Sequence, residues 1–433
     1  MKLTKEGLIV GFALFALFFG AGNLILPPFL GFLAGSQWYL VALGFVISAV
    51  GLPLLGIFAH ARLQGSMFSF AEKISPVFSL IFCICIYIIS VALPGPRTAA
   101  VTHEIAIEPF FDISPLTTSI IYFLLVFVFV IKRSTVINNI GKFLTPAILL
   151  VLLAIIISGF FTEYKPMGAG VTELPILSGF FEGYQTFDAI ASLLVGGVII
   201  ISIKLKGYES PVEIRQLITM AAVLAGLSLL FVYGGLIYNG AMTNSEFPQD
   251  VTRTELLSGI SLMNLGGLAQ IGLSVLVALA CFTTAVGIVT GTADFMTERI
   301  KRPHVYVITV FIACFLGVVI GALSVNAIIE IALPVLLLIY PLTIVLILLN
   351  VMPQDFRTKL VMTVTVIATT LFSLPDALKY VVSEELFSNI QFYIPLSEYG
   401  LGWVIPATLA FFGSYFYEHK TKMMKPQAKV VSE

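Results

Sequence analysis

Charge is scarce in this chain. Only 11% of its 433 residues are Asp, Glu, Lys or Arg, whereas soluble domains carry about 25%. A water-facing surface cannot be built from that inventory, which excludes a cytosolic enzyme and a secreted binding module. Cysteine is scarcer still. Cys83, Cys85, Cys281 and Cys314 all sit inside apolar runs, spaced neither as a disulfide framework nor as metal ligands. They read as small apolar filler. His60, His103, His304 and His419 fall at the ends of apolar stretches. No His-Glu-x-x-His or Gly-x-Ser-x-Gly pattern occurs, so an intramembrane enzyme has no nucleophile–base or metal set to rest on. A phosphate-binding Gly-x-x-x-x-Gly-Lys-[Ser/Thr] loop is missing too, and so is any basic patch for nucleic acid.

What is abundant is apolar. Hydrophobic residues make up 58% of the chain and aromatics 12%, which excludes disorder and leaves a polytopic membrane protein. A helix crossing the bilayer needs about 20 apolar residues. Twelve stretches qualify: 8–34, 39–59, 75–95, 115–131, 143–161, 177–203, 213–240, 260–291, 304–324, 328–349, 359–375 and 400–417. The first is too long for a signal-peptide core. Lys and Arg are retained on the cytoplasmic side. With the N terminus inside, 19 of the 23 Lys and Arg residues fall on inner segments, and only Arg97, Lys165, Arg253 and Lys379 fall outside. The alternation supports twelve helices with both termini cytoplasmic, in a single membrane domain without an obligate protein partner.

Two spans look broken. The first reads Phe18-Phe19-Gly20-Ala21-Gly22-Asn23 and then Pro27-Pro28. Glycine weakens a helix and proline removes backbone donors. Asn23 at mid-span needs polar partners. The sixth reads Glu182-Gly183-Tyr184-Gln185-Thr186-Phe187-Asp188, a density of polar groups that cannot face lipid. Breaks in spans one and six are the spacing of a five-helix unit used twice in inverted orientation. Discontinuous helices at matching positions of two halves point to a transport site. The expected division is 8–161 and 177–349 for the two units, 359–417 for two further helices and 418–433 for a tail.

At these residues the chain resembles the bacterial branched-chain amino acid:cation symporters, the system II carriers. The likeness lies in Gly11 to Pro28, in Gly95-Pro96-Arg97-Thr98-Ala99 and in Glu182 to Asp188. The resemblance implies an all-α membrane fold of about 12 helices, LeuT-like, with a five-plus-five inverted repeat and two more helices. It also implies import of leucine, isoleucine or valine with sodium across the bacterial inner membrane, and no cofactor. Carried over from sodium-coupled amino acid symporters, the backbone donors of Ala21 and Gly22 would hold the substrate carboxylate, beside Asn23. Carbonyls of the two broken helices would take its ammonium. From the residues themselves, Asp188, the deepest acidic residue, beside Tyr184 and Phe187, is a candidate to counter the ammonium or to orient a backbone dipole. By the same likeness, a sodium site would use carbonyls of Ala16, Phe19 and Ala280 and hydroxyls of Thr283 and Thr284. In the wider family the Asn23 amide serves another cation site, for which Asn239 is a candidate helix-seven partner, and Arg97 is expected to pair with Glu104 rather than to act as a gate. Proton coupling through Asp188 or Glu182, another small neutral amino acid, and a channel remain as alternatives.

Overall fold

The computed structural model of the chain describes residues 2–132, 136–205, 207–380, 382 and 393–424. Arg133, Lys206, Lys425 and Lys429, all counted above as inner charges, lie outside the described residues. Among those described, every regular element is helical, apart from one isolated bridge between Gly35 and Ala169.

Among the described residues, twelve principal spans follow one another, the first and sixth each a pair of helices. Span one is the pair Lys2–Phe18 and Ala21–Ala34, and span six is the pair Pro175–Tyr184 and Asp188–Leu205. Spans two and three are Trp38–Leu63 and Pro76–Ile107. Spans four and five are Pro115–Ile131 and Val136–Gly159, and span seven is Pro211–Met242. Spans eight to twelve are Gly267–Ile300, Pro303–Gly321, Val325–Val351, Lys359–Leu378 and Val404–Met424. Counting each bent pair once, 9 of these are long and apolar enough to cross a membrane. Spans four, five and twelve complete the set. Many begin with a proline in the first turn, as at Pro76, Pro115, Pro175, Pro211 and Pro303. There its missing N–H costs nothing and its fixed φ suits the helix. Leu124, Leu227 and Phe311 are exposed on the outside, as a lipid-facing surface requires.

Two boundaries depart from expectation. Span eight was predicted to begin at 260, but Arg253–Leu265 is a separate helix opened by a Thr252–Glu255 capping box. Gly266, at φ 77, turns the chain before span eight starts at Gly267. Leu262, Met263 and Leu265 are exposed apolar residues, so composition alone runs the two helices together. Span three was predicted to end at 95. Pro94 and Pro96 instead open a second helical segment, Pro94–Thr102, that extends the span. Arg97 is therefore inside span three and 3% exposed.

Two crossings set the middle of the molecule. A Cβ added to Gly31 would strike the Ile237 carbonyl, and one added to Gly240 would strike that of Pro28, so span one meets span seven backbone to backbone. In the same way Gly44 meets the Ile176 carbonyl and Gly179 that of Val41, which joins span two to span six. Small residues allow such close approach in a membrane. Under an inverted repeat these crossings are equivalent, since one becomes six and seven becomes two.

Candidate functional site

The site begins where the two bent spans come apart. Span one turns by 70° and span six by 44°. In span one, Gly20 is extended at φ −112, ψ −172, and carries no side-chain cap for the helix that follows. The break falls at Phe19-Gly20, while Pro27 and Pro28 are inside the second helix. In span six, Gln185 to Phe187 separate the two helices, and Phe187 sits at φ 63. A left-handed conformation costs a phenylalanine roughly 1–2 kcal/mol. Thr186 Oγ1 donates to the Gly183 carbonyl at 2.8 Å and accepts from the Asp188 N–H at 3.2 Å.

A polar knot ties the breaks together. Asn23 Nδ2 donates to Asp188 Oδ2 at 2.6 Å and also to the Tyr233 hydroxyl. Tyr233 donates in turn to Asp188 Oδ2 at 3.2 Å. Asn23, Asp188 and Tyr233 are at most 2% exposed. Spans one, six and seven are thus joined at membrane depth by one carboxylate and two neutral donors. Phe19 lies against Tyr233, with ring centroids 6.3 Å apart, and Phe45 makes an edge contact with it at 5.3 Å. On the other flank, Tyr184 stacks on Tyr340 of span ten at 4.1 Å.

Arg97 enters the same region from span three. Its Nη1 donates to the Gln185 carbonyl at 2.7 Å, and its Cζ lies 5.2 Å from the Phe187 ring centroid. The guanidinium also lies directly over Gly22, where an added Cβ would collide with it. Span eight closes the break in span one. A methyl group on Gly20 would lie 3.8 Å from Asn23 Oδ1 and 4.0 Å from Thr284 Oγ1. Thr283 Oγ1 donates to Ala280 O at 3.0 Å, a bond back onto its own helix.

Two broken helices with buried polar groups where they meet are the arrangement expected of a transport site. The sequence profile of the branched-chain amino acid transport protein family matches residues 3–421. The chain belongs to that family. It is 36% identical to the branched-chain amino acid permease BraB of Bacillus subtilis (strain 168) over 418 residues, covering 93% of each chain. With BrnQ of the same organism it is 32% identical over 419 residues, covering 92% of this chain and 94% of the other. Among solved structures, a Na+-coupled sialic acid symporter superposes with TM-score 0.59 at 11% identity, covering 99% of this chain and 91% of that one. Mhp1 in its inward-facing conformation gives 0.58 at 13%, covering 95% and 90%. MhsT with L-phenylalanine gives 0.54 at 15%, covering 94% and 98%. These neighbours show the fold, an inverted-repeat membrane transporter with discontinuous first and sixth helices. The protein is a transporter and not an enzyme.

Several expectations for this transporter's site change. Arg97 does not pair with Glu104. Glu104 is taken by the Thr254 hydroxyl at 2.6 Å and the Val325 N–H at 2.8 Å, two helical turns along from Arg97 on the same span. Asn239 does not reach Asn23, since its Nδ2 faces the Ile156 carbonyl at 3.4 Å. The helix-seven partner is Tyr233, which sequence reasoning missed; a tyrosine in the middle of an apolar span was its only signal. Glu182 pairs with Arg253 at 3.1 Å, away from the knot. Arg253 also reaches Asn326 at 2.9 Å and lies over Phe29, 4.4 Å from the ring centroid.

Proposed function

We propose that this transporter carries leucine, isoleucine and valine inward by alternating access, coupled to sodium, in the bacterial cell membrane with both termini cytoplasmic. The reading rests on one observation, the meeting of two broken helices at the buried knot of Asn23, Asp188 and Tyr233. The start of the helix at Ala21 and Gly22 offers backbone N–H groups to a carboxylate. Asp188 is the negative charge for an ammonium, and Tyr184 and Phe187 supply apolar surface. The first helix of span one ends at Phe18, so last-turn carbonyls such as Ala16 lack a helical partner. With the carbonyls of Phe19 and Ala280 and the hydroxyls of Thr283 and Thr284, they form a set of hard oxygen ligands without formal charge, suited to sodium. The nearness of Thr284 to Gly20 favours that assignment. So do the names of the relatives for the substrate, and the sodium-coupled neighbour for the ion. The site asks for no cofactor beyond the ion, and the surroundings it needs are lipid.

A second reading has its own observation. Asp188 is a carboxylate held by two neutral donors, an arrangement that would also take a proton. Uptake of labelled leucine into proteoliposomes separates the two. The sodium reading expects accumulation only under an inward sodium gradient. Uptake that ignores sodium and follows a pH gradient decides for the proton.

A further inference from the structure

A cation stands at the wrong end of a helix. The helix Ala21–Ala34 has its N terminus at the break in span one, and a helix N terminus carries partial positive charge. The Arg97 guanidinium lies directly over Gly22 in the first turn of that helix. Positive beside positive, out of water, is unfavourable unless something negative belongs between them. No carboxylate touches the guanidinium directly among the described residues. Arg97 forms no ion pair among the described residues, its direct acceptor is the Gln185 carbonyl, and its Nε is buried without a partner. Two more polar atoms of the same break, the Tyr184 hydroxyl and Gln185 Oε1, are also buried and unpartnered. Asp188, the carboxylate of the knot, is held by Asn23 and Tyr233 instead.

We infer that Arg97 is the receptor for the substrate's α-carboxylate. This deepens the proposed function and rests on its reading that the substrate is an amino acid. The guanidinium and the backbone donors of the helix start converge on one small anion from two sides. Glycine at position 22 leaves the guanidinium its place, since a side chain there would have to push it aside. Asp188, bonded to Asn23 next to Gly22, supplies the opposite charge. The two fixed charges face the two ends of a zwitterion, so the loaded site stays neutral. Arginine suits the task because its planar fork matches a carboxylate with two parallel bonds, which lysine cannot do.

The test compares leucine with leucinol, which keeps the ammonium and the isobutyl group but replaces the carboxylate by an alcohol. Binding of labelled leucine to the purified full-length transporter is competed with each. The wild type is expected to prefer leucine by roughly tenfold to a hundredfold, the range for a hydrogen bond to a charged group. In Arg97→Gln, leucine binding falls severalfold or more while leucinol binding holds, and the preference shrinks to what the backbone donors supply. Should Arg97→Gln fail to fold, Arg97→Lys decides, with leucine weakened and leucinol unchanged. An Arg97→Gln protein that keeps the wild-type preference, or an Arg97→Lys protein with unaltered leucine affinity, overturns the inference. Wild-type protein that binds no leucine overturns the substrate reading above and this inference with it.

Discussion

The two broken spans solve one problem in opposite ways. Span one breaks by omission. Gly20 takes an extended conformation and brings no side-chain cap to the helix that follows. Span six breaks by filling. Gln185, Thr186 and Phe187 carry the chain across, Thr186 satisfies groups on both sides of the gap, and Phe187 accepts a left-handed φ of 63°. On the proposed function, the bare break in span one is the one that the substrate completes. A filled break holds its shape and presents fixed groups, above all Asp188. On the same reading, the first would receive the substrate and the second would present a charge to it.

That division can be broken from either side, and the largest effect is expected on the bare one. Gly22→Leu places a side chain where the Arg97 guanidinium lies. Leucine binding should fall by more than a hundredfold in a protein that still purifies as a monodisperse species, because both backbone approach and guanidinium are displaced. Retained affinity would remove span one from the receiving role. Next comes the presenting side. Asp188→Asn keeps the size of the knot but removes its charge, and uptake should drop at least roughly tenfold, as loss of a buried charge-assisted bond does. Unchanged uptake with unchanged pH dependence would make Asp188 structural.

Smaller effects sharpen the contrast. Thr284→Ala, beside the bare break, should raise the sodium concentration for half-maximal uptake several-fold and matter less at saturating sodium. An equal effect on leucine affinity at all sodium concentrations would argue against an ion there. Smallest is Thr186→Ala within the filled break. It removes a cap on the Asp188 N–H and should cost about 1 kcal/mol of stability, read as a modest downward thermal shift with leucine affinity little changed. A large loss of binding from this variant would mean that the substrate completes the filled break as well.

Much of the architecture was legible because lipid imposes it. Each span needs a long apolar run, and Lys and Arg collect on alternate loops, so twelve helices could be counted without coordinates. The breaks were legible as well, since Gly20 and the polar string at 182–188 are anomalies at membrane depth. What joins them was not. Asn23 and Tyr233 are 210 positions apart, and no periodicity links residues on different helices. Arg97 was misjudged because Pro94 and Pro96 look like the end of a span, whereas in a first turn they start a new segment. That reading placed it at the rim beside Glu104, when it belongs at the centre. The Pro27-Pro28 pair misled in the reverse sense, lying within a helix that it does not interrupt.

The glycine crossings of spans one with seven and two with six have a consequence for heredity. At Gly31, Gly44, Gly179 and Gly240 even a methyl group would meet a carbonyl. Nothing there can be exchanged for a smaller residue, and every larger one forces two main chains apart. In a saturation survey of this gene, the positions that tolerate no substitution would then include two pairs that touch neither cargo nor ion. Sequence drift in the pocket could change what is carried, while these four codons stayed fixed by the space between two backbones.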